Sequence, residues 1–585
     1  MGLVLFAKGM MKALSRLNGL CLVVLLLMTS CHHEEKGTDT LGHSDSAPLA
    51  YPPNVILFSL DTLRADRLQA APYISKMASE GFSSSRTWSS SNWTLPAHVS
   101  LLTSTNPIEH DFPRAGSRLP YADQNFSEEL STLAQAYLSA EYSTLASTGG
   151  GFLSPRFGFG RGFEHYFSES STGQEDPFAT QLQSVKSFLA EKKDQPIFMF
   201  IHTYSVHDYF LNSPLYHDLI DPISDQVHVE HGNWLDEIKK GLAPVDYVNR
   251  LYDAGIQRTD SFVREIVSQV ELARPGEPLL VVITSDHGES FEDRPGLWHH
   301  GNGLWESQIR IPLVVWGNYE GAPQGVTHMP VSLIDVAPSL LFESGIEIPE
   351  GFQGQGDVFQ ISPIDPGPRD ERLVRASRVH TGPSPKSSHV SQTLIKSGLK
   401  YYRQDSFEGK TRVEACFNLD DDPGETLNVL LEASRPCSHF PKMLSELLLQ
   451  SPAYAIFLRA SPQSKLEFSF SHPDVVKAVR TGAGSSLKIA DLGLGKVSWT
   501  PASQDDLLML ILESEREANV DLLFDDGRGS SVSVSEIGPA EDPFRLATPS
   551  GEVTFFRKGR MSPAREATSP DPDFVRELRA LGYVD

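Results

Sequence analysis

Three stretches of the chain place acids, an imidazole and a hydroxyl where they could act together. "NVILFSLDTLRADRL" sets Asp61 directly behind an apolar run, and "LLVVITSDHGES" sets Asp286 and His287 behind another. Continuous apolar runs of this kind read as strands buried on both faces, and functional groups gather just past the carboxyl ends of such strands. One acid after one strand would be a helix cap. Two acids and an imidazole at two strand ends suit a divalent cation with one position left open. The third stretch is "SSNWTLPAHVSLLTS", residues Ser90 to Ser104. Pro96 belongs in the first turn of a helix, which puts Thr94 at or next to the N-cap. The free N–H groups and positive dipole end there favour an anion and alkoxide character at Thr94. By itself Thr94 is a capping residue. Beside Asp61, Asp286 and His287 it reads as a metal-activated nucleophile and a further ligand.

Strands and helices must hold these groups in place. Asn54–Leu60, Pro196–His202, Pro278–Ser285 and Arg310–Trp316 read as buried strands, and Glu128–Ala140, Phe178–Lys193 and Val245–Ala273 as helices. Their alternation predicts an α/β layered domain over residues 51–451, with a mostly parallel central sheet flanked by helices. From residue 452 short β-type runs recur, from "KLEFSFS" to "GEVTFFRKG", at the spacing of roughly 8–12 residues expected of a sandwich. They predict a small all-β module over 452–563, followed by a linker and a C-terminal helix over 564–585.

The N-terminus reads as an address. Lys8, Lys12 and Arg16 precede "LCLVVLLLM", an apolar run too short to span a bilayer, as in an export signal. The "MTSC" that follows resembles a lipobox, with Met28 where leucine is usual. It implies a signal peptide of residues 1–30, cleavage before Cys31 and lipidation of its thiol; a plain signal peptide with an incidental cysteine is the alternative. Residues 31–50 are polar and turn-rich and read as a flexible tether. These features predict an exported protein, anchored to a membrane of the bacterial cell envelope through Cys31. In an oxidising compartment Cys416 and Cys437 suit a disulfide, with two buried thiols as the other option. A formal charge of −25 argues against nucleic acid as a partner, and 40% hydrophobic residues suit a globular core. A small anionic substrate stays compatible, because a metal or local cations override the global sign.

"NVILFSLDTLRADRL", "WTLPAHVSLLTS", "FMFIHTYSVHDYF", "SDHGESFEDRPGLWHHGNGLWESQIRIPLVVWG", "SLIDVAPSLL" and "FNLDDDPGETLNV" resemble, in order, the motifs of the sulfatase family, a branch of the alkaline-phosphatase superfamily. The resemblance covers about residues 51–451 and implies the alkaline-phosphatase-like α/β fold and hydrolysis of sulfate esters. It places Asp61, Asp286 and His287 on metal positions, and His207 and His300 where they contact the ester anion or protonate the leaving oxygen. His300 is preferred to His299 because Gly301 follows it. His98 and His202 are candidate substrate-binding residues, though His202 is equally a strand-end histidine satisfied by backbone. Arg64 suits either a support for the metal-site acids or a surface ion pair, and Trp93 either a pocket wall or core. Calcium is the ion the family implies, whereas an imidazole ligand favours zinc or manganese.

Three departures from the family pattern bear on the chemistry. "TLPAH" stands where the family has C/S-x-P-x-R, so Thr94 cannot become formylglycine and His98 replaces the arginine. Thr62 follows Asp61 where an acid is frequent, and Ser205 stands where many relatives carry aspartate. A formylglycine hydrate can expel sulfate and regenerate the aldehyde. A threonine ester needs water to attack sulfur or phosphorus, a more familiar fate for phosphothreonine. The same site residues also resemble the threonine-nucleophile phosphoethanolamine and lipoteichoic-acid transferases, which share "SDHGES". The expectation is an extracytoplasmic metal-dependent hydrolase of small anionic esters or of sulfated or phosphorylated glycans, working through Thr94. The alternatives are a phosphoryl-group transferase or phosphodiesterase, and a non-catalytic binding protein on a decayed sulfatase scaffold.

Overall fold

The structure, a computed structural model, describes residues 52–110, 112, 125–168, 178–192, 194–209, 245–360, 372–380, 389–406, 412–432, 434 and 436–450, and beyond them only strands between Ala455 and Lys558. The leader, Cys31, the tether and the expected C-terminal helix lie outside the described residues.

In chain order the central sheet is built from β1 (Asn54–Leu60), β2 (Phe82–Trp88), β3 (Ser143–Thr148), β4 (His165–Ser168), β5 (Ile197–Thr203), β6 (Leu279–Thr284), β7 (Arg310–Gly317), β8 (Gly325–Thr327) and β9 (Val331–Ser332). In space the order is β4-β3-β5-β1-β6-β7-β2-β8, with β9 also on β2. The strands from β4 to β6 are all parallel. β7 runs against β6, and β2 runs against β7. Every residue of β1 is buried, because helices cover both faces of the sheet and leave no polar side to alternate with.

Those two faces make two cores. Val55 and Leu57 of β1 point to one side, with Leu95 and Val99 of α2 (Thr94–Thr103), Leu133 of α3 (Leu133–Ser139) and Leu340 of α6 (Val336–Glu343). Ile56 and Phe58 point to the other, with Met77 of α1 (Pro72–Glu80), Phe188 of α4 (Ala179–Glu191) and Val263 of α5 (Val245–Ala273). The result is a layered α/β/α domain of the expected class. A change such as Phe58→Ala would cost about 3–5 kcal/mol. Helix α3 starts five residues later than its apolar pattern suggests (Leu133, not Glu128), because Thr132 and Gln135 close a capping box there. Helix α5 ends as expected at Ala273, just ahead of Pro275 and Gly276, whose φ is +78°.

A second sheet, which the sequence pattern did not separate from the first, follows as an antiparallel meander: β10 (Val374–His380), β11 (His389–Lys396), β12 (Leu399–Ser406) and β13 (Arg412–Asn418). A disulfide between Cys416 of β13 and Cys437 ties it to the segment before α7 (Phe440–Gln450). The strands between Ala455 and Lys558 form two five-stranded antiparallel sheets. Among the described residues no helix is long and apolar enough to cross a membrane.

Candidate active site

Ser59 of β1 pairs with His202 of β5 on one side and with Thr284 of β6 on the other. Asp61, His202 and Asp286 therefore emerge side by side where the parallel strands end. Thr94 arrives from a helix start. Trp93, in extended conformation, is the N-cap of α2, and Thr94 is the first helical residue. Its hydroxyl turns to the acids: Oγ1 donates to Asp61 Oδ2 at 3.3 Å and stands 3.3 Å from His287 Nε2. Ligand atoms of Asp61, Asp286 and His287 all lie within 4.8 Å of one another. All four residues are fully buried.

Backbone geometry supports the acids. Thr62 has φ 62°, a left-handed conformation that costs a β-branched residue on the order of 1–3 kcal/mol. It aims the Thr62 N–H at Asp286 Oδ1, 3.2 Å away, which also accepts the His287 N–H at 2.9 Å. Tyr252 holds this turn, donating its hydroxyl to Thr62 O at 2.6 Å and accepting the Arg64 N–H at 2.9 Å.

The donor set fits a divalent cation. His287 donates Nδ1–H to Gly288 O at 2.9 Å, which leaves the Nε2 lone pair facing the acids, the tautomer a metal needs. Asp61 Oδ1 and Asp286 Oδ2 are buried without a hydrogen-bond partner among the described residues. Burial, then the charges of Asp286 and Asp208, push Asp61 well above the usual carboxylate range. Burial opposes the charge of Asp286 too, but His287, His98 and His202 and the Thr62 N–H outweigh it and hold Asp286 below its ordinary value. Two buried carboxylates with unspent oxygens, one imidazole lone pair and a hydroxyl make a set that a cation would neutralise.

The remaining histidines divide into supports and proton carriers. His202 donates Nε2–H to Asp61 Oδ2 at 3.3 Å, and its ring crosses those of His98 and Tyr204 at 5.0 and 4.6 Å. It stands behind Asp61, and among the described residues its ring makes no hydrogen bond to backbone. His98 corrects the expectation of a substrate contact. Its Nδ1 donates to Thr94 O at 2.8 Å, its Nε2 accepts from Ser59 Oγ at 2.9 Å, and the ring is fully buried. With both nitrogens engaged, and Asp286 Oδ2 3.6 Å from Nδ1, the ring supports Thr94 and Asp286 instead.

His207, His299 and His300 form a second cluster, with ligand atoms within 4.8 Å of one another. It abuts the first: the rings of His287 and His300 are 4.3 Å apart, those of His207 and His300 5.2 Å. His207 Nδ1 donates to Asp208 Oδ1 at 2.7 Å, and His300 Nδ1 lies 3.4 Å from Glu289 Oε2. His299 Nδ1 accepts the His300 N–H at 2.8 Å, so its other nitrogen carries the proton and offers no lone pair. This cluster suits proton transfer better than metal binding.

Asp208 and Glu289 stand against His207 and His300, and Arg378 over Trp93, and the sequence reading did not single them out. The first two lie inside the quoted motifs "SVHDYF" and "SDHGES", where an acid beside a candidate histidine was the available signal. Arg378 comes from β10, with no signal at all. Arg64 takes the ion-pair role, from a buried position and not on the surface: it bonds Asp66, Asp293 and Glu289 O, and so pins the loop that follows His287. Trp93 packs edge-on against Phe152, ring centroids 5.2 Å apart.

A family model for sulfatases matches residues 53–345. The chain belongs to the sulfatase family. Its curated relatives include the ulvan-active sulfatase of Formosa agariphila, 32% identical over 126 residues (21% of this chain, 24% of that one). Another is the choline-sulfatase of Rhizobium meliloti, 27% identical over 180 residues (31% and 32%). The chain thus spans about a quarter to a third of the length of these two relatives. Among solved structures the fold is shared with the phosphonate monoester hydrolase of Agrobacterium radiobacter, TM-score 0.52 at 18% identity, covering 68% of this chain and 95% of that one. It is shared equally with a 2-O GAG sulfatase, TM-score 0.52 at 16% identity, covering 68% and 92%.

Proposed function

We propose that this protein is a metal-dependent hydrolase of sulfate or phosphate-type esters that uses Thr94 as its nucleophile. The observation that carries the reading is the placement of Thr94 Oγ1, 3.3 Å from both Asp61 Oδ2 and His287 Nε2, at the start of a buried helix. Asp61, Asp286 and His287 would hold the cation; bound there, it would lower the pKa of the hydroxyl and offset the charge of the ester. Thr94 Oγ1 passes its proton to Asp61 Oδ2, to which it already donates, and attacks sulfur or phosphorus in line as the bond to the leaving oxygen breaks. His207 or His300 protonates that oxygen. Water then cleaves the threonine ester and releases the anion. Zinc or manganese suits the imidazole in the set better than calcium.

Membership of the sulfatase family supports a sulfate ester as substrate, and the curated relatives include a choline-sulfatase and an ulvan-active sulfatase. Thr94 favours a phosphate-type ester, because it cannot supply the aldehyde through which a formylglycine expels sulfate; the phosphonate monoester hydrolase that shares the fold supports that second reading. A decayed binding scaffold is disfavoured by the four buried groups still converging on one point. The disulfide between Cys416 and Cys437 supports an oxidising compartment, and with it export; the lipid anchor at Cys31 rests on the "MTSC" stretch of the sequence. The deciding experiment assays purified protein against aryl sulfate, phosphate monoester, phosphate diester and phosphonate with several metals, comparing wild type with Thr94→Ala and Thr94→Ser. Activity lost in the alanine variant and partly kept in the serine variant is the expected result. Undiminished activity of Thr94→Ala would end the reading.

A further inference from the structure

One of the bonds that orient the candidate metal ligands depends on a strained residue. Asp286 Oδ1 accepts the N–H of its neighbour His287 and the N–H of Thr62, which lies past the end of the adjacent strand β1. Thr62 makes that bond from φ 62°, where a β-branched side chain crowds its own backbone. At a relaxed, negative φ the turn from Asp61 to Arg64 would have to be rebuilt, and the bond to Asp286 with it. Within the turn, Thr62 Oγ1 donates to Asp61 O at 2.7 Å. From outside, a single hydroxyl on α5 closes it: Tyr252 donates to Thr62 O at 2.6 Å and accepts the Arg64 N–H at 2.9 Å. The Tyr252 ring is fully buried and packs against Phe291, ring centroids 4.8 Å apart, four residues past His287. Arg64 in turn donates Nη1–H to Glu289 O at 3.0 Å. Tyr252 is thus braced against both loops that carry Asp61, Asp286 and His287, and it reaches Asp286 through backbone.

We infer that Tyr252 is a positioning residue for the metal site: its hydroxyl holds Thr62 in the left-handed conformation and, through the Thr62 N–H, aims Asp286 at a divalent cation. The inference rests on the metal-dependent reading above and deepens it. Helix α5 carries none of the candidate ligands, yet a share of the metal affinity is assigned to it. A tyrosine that only filled space in the core would leave its hydroxyl dispensable to the metal.

The test measures zinc affinity of the full chain, stripped of metal beforehand, by competition with a chromophoric chelator. Tyr252→Phe keeps the ring and removes the hydroxyl; zinc should bind about 10–100-fold more weakly, the loss usual for a group that orients a metal ligand. Thr62→Gly removes the strain, because glycine takes positive φ freely, and should bind zinc within about threefold of wild type. In the double variant no strain is left for the hydroxyl to hold, so affinity should return to within about threefold of Thr62→Gly alone. Wild-type affinity in Tyr252→Phe overturns the inference. So does a double variant as weak as Tyr252→Phe, since the hydroxyl would then act by a route other than Thr62. If Tyr252→Phe does not fold by itself, a folded double variant with the affinity of Thr62→Gly supports the inference, and an unfolded one overturns it. A wild-type protein that binds neither zinc nor manganese overturns the metal-dependent reading as well.

Discussion

Two buried clusters in this protein each hold a pair of carboxylates, and they differ in one respect. Around Lys400 the pair is Glu306 and Glu425. The ammonium is fully buried, 2.9 Å from Glu306 Oε1 and 2.7 Å from Glu425 Oε1. Trp88 Nε1 donates to Glu306 at 2.9 Å, and Arg310 reaches it at 3.3 Å. Burial acts against the charge of Glu306, yet Lys400 and Arg310 hold it below the ordinary value. At the ends of β1 and β6 the pair is Asp61 and Asp286, with imidazoles around it and, among the described residues, neither lysine nor arginine ion-paired to it. There, among the described residues, two carboxylate oxygens are left without a hydrogen bond. Burial pushes Asp61 well up as it also raises Glu425, so the pairs differ in the cation between them and not in the direction of these shifts. Buried carboxylates alone are thus no sign of a site. A pair that the chain neutralises with its own lysine is scaffold, and here it joins the turn before β7 to the second sheet. A pair left without a built-in cation is a seat for one that comes from outside.

The largest effect should follow from destroying that seat. Asp286→Asn, or removal of metal by a chelator, should lower turnover by about 10³-fold or more, with metal content falling in parallel by elemental analysis. In the companion variant Asp61→Asn, folding stability of the metal-free protein should hold or rise, since the acid that burial and Asp286 push up no longer carries a charge. A clear loss of stability in metal-free Asp61→Asn would show that the acid is scaffold after all.

The mirror-image change is Lys400→Met. Removing the one ammonium between two buried carboxylates should cost about 3–5 kcal/mol by denaturant unfolding, while turnover per folded molecule stays near the wild-type value. Combining it with Glu306→Gln and Glu425→Gln should recover much of the loss. If the triple variant is no better than Lys400→Met alone, the cluster's contribution lies in shape and not in charge.

A smaller effect is expected where a carboxylate supports an imidazole. Asp208 orients His207 through the 2.7 Å contact, so Asp208→Asn should reduce kcat by about 10–100-fold with little change in KM and move one limb of the pH–rate profile. Asp208→Glu should recover part of kcat. A uniform rise in KM with kcat intact would place Asp208 in substrate binding instead.

The smallest concerns Glu343, a third carboxylate without a built-in cation, this one near the protein surface and held by a hydrogen bond from Gln360 at 2.7 Å. Burial raises its pKa from 4.5 to about 7. A raised acid favours folding most below the unfolded value and loses that contribution as pH climbs through the folded one. Wild type should therefore lose on the order of 1 kcal/mol between pH 4.5 and 7 relative to Glu343→Gln, after allowance for solvent screening. Parallel stability curves for the two proteins would contradict this.

What was legible in the sequence follows the same division. Asp61, Asp286 and His287 could be read because each stands at the end of an apolar run, and parallel strands bring such ends together. Thr94 could be read because Pro96 marks a helix start, although only the structure puts its hydroxyl one residue past the cap, on the acids. The inward turn of His98 could not be read, since it depends on Ser59 lying one turn of packing away in β1. Asp208 was in view as the neighbour of His207, but adjacency in sequence does not say whether two side chains turn toward each other. Arg378 and the Glu306–Lys400–Glu425 cluster were out of reach because they form between two sheets, and local periodicity carries no information about which strand of one meets which loop of the other. The second sheet itself was absorbed into the α/β pattern, because its mixed polar runs such as "VRASRVH" carry neither a long apolar stretch nor a clear helical repeat.

The central claim, that an ester is transferred to Thr94, is tested most directly by rapid acid quench followed by peptide mass spectrometry. Protein mixed with whichever ester it turns over should carry a sulfuryl or phosphoryl group on the peptide containing Thr94 within the first turnovers, and the same peptide from Thr94→Ala should carry none. Steady turnover with no label at Thr94, in a protein whose Thr94→Ala variant remains equally active, would contradict the account.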